Sequence, residues 1–122
     1  MTERERKIQE KMMRKIRDYK GYTYKNAQNM FTEKGRPDLT ACVPTTVKAI
    51  EELFGENAQI GIFVGVEVKR DRDSYDASDA QEIVGRKIKA AKGLWFVLDD
   101  CDILEALLMK LTKYNGGNNV KS

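Results

Sequence analysis

The stretch QIGIFVGVEVK (59–69) constrains the fold more than any other part of the chain. It is apolar or glycine for most of its length, and it closes with an acid and a base two residues apart. Such a run predicts a strand in a largely covered sheet, where a charge without a partner is costly. Side chains alternate between the two faces of a strand. Ile60, Ile62, Val64, Val66 and Val68 therefore share one face, predicted to pack on a helix layer. Gly61, Phe63, Gly65, Glu67 and Lys69 share the other. Glu67 and Lys69 project from the same side, roughly 7 Å apart along the strand. Gly65 beside them predicts open room, as in a cleft. Taken alone, an acid and a lysine at a strand end are also an ordinary ion pair.

The segments around this strand set its context. SDAQEIVGRKIKAA (78–91) carries Ala80, Ile83, Val84, Ile88 and Ala91 on one helical stripe, and LWFVLD (94–99) reads as a buried strand. Strand, helix and strand in that order predict a right-handed βαβ crossover. Upstream, residues 3–19 form a helical pattern with Ile8, Met12, Ile16 and Tyr19 inward and Met13 beside them, and Thr2 with Glu5 as a capping box. GYTYK (21–25) and DLTACV (38–43) read as short strands joined by a polar connector. TTVKAIEELFGEN (45–57) reads as a small helix stopped by Gly55, and 102–113 as a Leu-rich helix predicted to lie in the core. RDRDSYD (70–76) is a charged turn. The pattern is that of one mixed α/β domain over residues 1–114, with a loose tail at 115–122.

Composition narrows the chemistry. The chain of 122 residues has no histidine, which excludes histidine bases and triads and makes a zinc site a poor fit. Cys42 and Cys101 lack CxxC spacing and are expected as reduced core thiols of an intracellular, cytoplasmic protein. No apolar run reaches the ~18–20 residues of a membrane span, and the charged N-terminus is unlike a signal peptide. The net charge of +3 suits a polyanionic partner without requiring one.

A second acid changes the reading of Glu67. Asp38 follows Pro37 at the start of another predicted strand. If the two strands are neighbours, Asp38 and Glu67 converge. Two carboxylates and the Val68 carbonyl then offer Mg²⁺ the hard oxygens it prefers. Lys69 beside them can activate a water or stabilise charge growing on a phosphate.

PD at 37–38 followed by EVK at 67–69 resembles the PD-(D/E)xK nuclease signature. GRPDL, FVGVEVK, SDAQ and AKGLWFVLD, in that order, resemble the VRR-NUC branch of that superfamily across residues 3–104. The resemblance implies a restriction-endonuclease-like core with a mixed central sheet flanked by helices, and TTVKAIEELFGEN as a helical insertion. It implies a Mg²⁺- or Mn²⁺-dependent endonuclease acting on DNA, of the small stand-alone kind found in bacteria and phages. Such proteins act as homodimers on branched DNA such as Holliday junctions. By the same resemblance Asp38 and Glu67 match the metal-binding acids, Lys69 the catalytic lysine and Gln81 the glutamine opening the following helix. The family also has a glutamate on the first helix. With Ile8 as origin, the apolar stripe is expected over about 0–140°, with Glu5 at about 60° within it and Glu10 at about 200° on the wet side. Glu5 is therefore the expected match. Lys25, Lys34, Arg36, Arg70 and Arg72 flank the predicted cleft as candidate phosphate contacts. A non-catalytic DNA-binding module with the same fold, and another α/β enzyme acting on a nucleotide or phosphate ester, are the competing expectations.

Overall fold

The computed structural model describes residues 1–30, 33–69 and 78–116. Eight elements follow in the expected order: α1 (Glu3–Asp18), β1 (Tyr22–Lys25), β2 (Leu39–Cys42), α2 (Val47–Phe54), β3 (Val64–Val68), α3 (Asp79–Ala90), β4 (Leu94–Leu98) and α4 (Asp102–Leu111). The chain is mixed α/β. Thr2, Thr46 and Ser78 cap α1, α2 and α3 through side-chain oxygens, as their positions before the helical patterns predict. Both α1 and α3 end in a left-handed lysine followed by glycine. Lys20 and Lys92 have φ of 70°, and the amides of Gly21 and Gly93 return to the carbonyls of Ile16 and Ile88 at 2.9 Å.

The strands form two ladders in place of the expected single central sheet. β1 pairs antiparallel with β2, and β3 pairs in parallel with β4 around α3. The crossover is thus present as a parallel pair, but β2 and β3 are not neighbours. One reason lies in β3 itself. The predicted strand began at residue 59, and pairing begins only at Val64. Gly61 weakens the first half, because an interior glycine gives a strand neither rigidity nor a side chain to pack. Side chains, rather than backbone pairing, join the two ladders. The Tyr22 and Phe63 rings meet edge-on at 6.2 Å, and Cys42 Sγ lies 3.5 Å from the Ala91 carbonyl oxygen. Met13, Cys42, Ile88, Ala91 and Leu98 form the buried apolar core, which draws on α1, β2, α3 and β4.

The helix layer covers the face opposite to the one expected. α3 lies over the Gly65 face of β3, so Gly65 does not open a cleft there. A Cβ on Gly65 would stand 3.1 Å from Ile88 Cδ1 and 3.4 Å from Trp95 Cδ1. Gly85 explains the close seat of α3, since a Cβ there would lie 2.5 Å from the Trp95 ring. On the valine face Val68 is 80% exposed.

Three further expectations are corrected. The inward side of α1 is centred on Gln9 and the expected Met13, while Ile8, Met12 and Tyr19 are exposed. Cys101 is exposed, at the start of α4, and only Cys42 is a core thiol. α4 contributes no buried residue, so the Leu-rich helix is not core. Among the described residues no helix is long and apolar enough to cross a membrane.

Candidate functional site

The end of β3 and the start of α3 are tied together by one side chain. Ser78 caps α3, and Gln81 completes a capping box by accepting a hydrogen bond from the Ser78 amide at 2.9 Å. The same Oε1 accepts from Lys69 Nζ at 3.0 Å. Its Nε2 donates to Glu67 Oε2 at 2.8 Å. Donors on one side and a carboxylate on the other fix which way the amide points. Gln81 therefore faces the end of β3. Glu67, Lys69 and Gln81 are all half-buried. The β3–β4 ladder continues past its last pair through Lys69 N to Leu98 O at 2.8 Å, which anchors the lysine's backbone.

Chemically, the arrangement holds a lysine and a glutamate in fixed relation through a neutral amide. The amide occupies one glutamate oxygen, so the carboxylate keeps Oε1 as a further acceptor. The ammonium keeps donors beyond the one given to Gln81. This trio can present a cation and a carboxylate to a phosphate, a water or a metal ion.

Asp38 is set by a different local device. The β1–β2 ladder runs from Tyr22 opposite Cys42 to Lys25 opposite Leu39. It is prolonged by Asn26 N donating to Asp38 O at 2.9 Å. The buried Asn26 side chain then grips the chain on both sides of the aspartate. Its Nδ2 donates to Pro37 O at 2.9 Å and to Thr40 Oγ1 at 2.7 Å. Its Oδ1 accepts from Arg36 Nη2 at 3.0 Å. Thr23 Oγ1 adds a bond to Thr40 O at 2.8 Å. The backbone at Asp38 is thus held, while its exposed carboxylate has no hydrogen-bond or ion-pair partner among the described residues. In the sequence Asn26 is simply the first residue of the polar connector. An asparagine directly after a strand is the signal available for it, and many turns share that signal.

The structure thus brings Glu67, Lys69 and Gln81 together and leaves Asp38 on the other ladder. Among the described residues no three His, Cys, Asp or Glu side chains form a metal-holding group. The donor chemistry of Asp38, Glu67 and the Val68 carbonyl still fits a hard divalent cation, being oxygen throughout. The ladders alone do not bring these donors together. Glu5 is exposed at the first turn of α1, where its Oε1 accepts from the Thr2 hydroxyl at 3.1 Å. Because the inward face of α1 is turned toward Gln9, Glu5 stands at its rim rather than within it. Glu10 is exposed too. Gln9 is 7% exposed, and its Oε1 is buried without a hydrogen-bond partner among the described residues. Lys25, Lys34 and Arg36 are exposed, with Arg36 tethered to Asn26. Arg70 and Arg72 lie outside the described residues.

Two groups near the junction of the ladders have shifted acidity. Burial pushes the Cys42 thiol up. Burial first, and Tyr24 second, push the Tyr22 phenol up. Both groups are held neutral and belong to packing rather than to the polar trio.

In comparisons with known proteins, no family model matches the chain, and no curated protein or solved structure matches it significantly.

Proposed function

We propose that the chain is a metal-dependent DNA endonuclease of the PD-(D/E)xK superfamily, of the VRR-NUC type. In this reading Asp38, Glu67 and the Val68 carbonyl hold Mg²⁺ or Mn²⁺, which supplies charge neutralisation at the phosphodiester when bound. Lys69 orients or deprotonates the attacking water, and Gln81 keeps Lys69 and Glu67 in register. Glu5 supports the site from α1. Lys25, Lys34, Arg36, Arg70 and Arg72 contact phosphates. Branched DNA is the substrate and a homodimer the working form. Exposed apolar residues on α2 and α4, among them Val47, Leu53, Phe54 and Met109, are the surface on which such a dimer would form.

The observation that carries this reading is the Gln81 bridge, 2.8 Å to Glu67 and 3.0 Å to Lys69. An incidental ion pair at a strand end needs no residue from the next helix to orient both partners. The test is cleavage of linear duplex, flap and four-way junction DNA with Mg²⁺ or Mn²⁺, with Lys69→Ala alongside. Cutting by the wild type and its loss in the variant support the assignment. No cleavage of any substrate at high enzyme, or equal cleavage by the variant, refutes it.

One observation favours a second reading, a non-catalytic DNA-binding module. Asp38 and Glu67 stand on separate ladders. Mg²⁺ calorimetry separates the two. Heat that is lost in Asp38→Ala supports a metal site shared by the two acids. No heat, or the same heat from both proteins, supports the module.

A further inference from the structure

Helix α1 carries more positive charge than the candidate site uses, and the charge is sorted by face. With Ile8 as origin, Arg4, Lys7, Lys11, Arg14 and Lys15 fall between about 240° and 340°. The buried Gln9 and Met13 lie at about 100° and 140°, almost diametrically opposite. All five cations are exposed. They form a ridge of about 16 Å from Arg4 to Lys15, with a cation on every turn. An open groove along it is lined by Glu3, Arg4, Lys7, Ile8 and Lys11. Among the described residues the one ion pair on the helix is Lys7 with Glu3, at 3.9 Å and well exposed. Arg4, Lys11, Arg14 and Lys15 therefore keep their charge available to a partner.

We propose that this outer ridge of α1 is a backbone-tracking surface for duplex DNA, rowing cations along one strand's phosphates. The proposal rests on the DNA-directed reading above and adds a surface to it, since none of these five residues belongs to the candidate site. Charge complementarity decides the partner. A row of exposed, mostly unpaired cations matches a row of phosphates, which needs neither base contacts nor an apolar anchor. The other polyanionic partner, an anionic membrane, requires an apolar face to insert. The exposed apolar band beside the ridge, Ile8, Met12 and Tyr19, is only about 40° wide and is bordered by the exposed acid Glu5, so it does not make such a face.

The test measures duplex binding by fluorescence anisotropy in EDTA, at several salt concentrations. Lys11→Gln/Arg14→Gln on the ridge is compared with Arg6→Gln/Arg17→Gln, which removes equal charge off the ridge. Each phosphate contact contributes about 0.9 to the slope of log affinity against log salt. The ridge pair is expected to lower the slope by about 1.8 and the off-ridge pair to leave it near wild type. Equal slopes in the two variants, or a ridge variant indistinguishable from wild type, overturn the proposal. Binding of wild type to phosphatidylserine vesicles that is lost in the ridge variant, with DNA affinity unchanged, assigns the ridge to a membrane and also overturns it. A wild type that binds no DNA removes the DNA-directed reading as well, whereas one that binds and cuts with an indifferent ridge removes only this surface. All four substitutions are at exposed positions of α1, and circular dichroism confirms the helix content of each variant.

Discussion

Replacing Asn26 by alanine removes a side chain that grips the chain on both sides of Asp38. Three hydrogen bonds go with it: to Pro37 O at 2.9 Å, to Thr40 Oγ1 at 2.7 Å and from Arg36 Nη2 at 3.0 Å. A buried hydrogen bond contributes about 1 kcal/mol net, and a buried acceptor left without its donor costs about 1–3 kcal/mol. Arg36 is exposed and can be rehydrated, so its bond adds little. The expected loss is about 2–4 kcal/mol, nearly all from Pro37 and Thr40. At this chain length that lowers the melting temperature by about 8–15 °C, which leaves a domain of ordinary stability folded at 25 °C. Urea denaturation and a thermal melt measure both quantities. Asn26→Asp refines the test: it keeps an acceptor for Arg36 but offers Pro37 O no donor, so it is expected to be destabilised nearly as much. An unfolding free energy for Asn26→Ala within about 0.5 kcal/mol of wild type refutes the account of Asn26 as the clamp of this segment.

Gly85→Ala is expected to destabilise by about 1–3 kcal/mol despite alanine's helix propensity, because its methyl would stand 2.5 Å from the Trp95 ring. Trp95 is the sole tryptophan, so a shift in its emission reports the displacement of α3 directly, and unchanged stability and emission would contradict the packing. Lys92→Gly relieves a left-handed lysine with φ of 70° and is expected to stabilise by about 0.5–1 kcal/mol in urea melts. Cys42 keeps its proton to higher pH when folded than when unfolded, because burial raises its pKa. Its contribution is therefore complete below the unfolded thiol's pKa of about 8.5 and is lost as pH rises above it. Cys42→Ala is expected to flatten that part of the stability profile. In the native protein a thiol reagent is expected to label the exposed Cys101 at once and Cys42 only on unfolding.

Local signals read well along the chain. The caps at Thr2, Thr46 and Ser78 lie beside the residues that begin the helices, and residue pattern located all eight elements in order, with the start of β3 placed five residues early. The expectation for Gln81 came from the resemblance, and the capping box it closes on Ser78 is a short-range feature. Glu5 shows the limit. A helical wheel gives angles but not which arc meets the sheet, and Gln9, a polar residue, turned out to mark the buried side. Asn26 carried only the common signal of an asparagine after a strand, because its partners at Pro37 and Thr40 are brought to it by the β1–β2 pairing.

Alternation put Glu67 and Lys69 on one side of β3, and capping chemistry put Gln81 at the mouth of α3. Both depend on neighbours a few residues apart, and the first was legible in the sequence pattern alone. Which face α3 covers was decided in three dimensions, where Gly85 lets the helix sit on Trp95 and fill the space beside Gly65. The separation of the strands into two ladders was decided there too. Pairing between distant segments depends on which edges and rings can meet, and here Tyr22, Phe63 and Cys42 pack where a continuous sheet was expected.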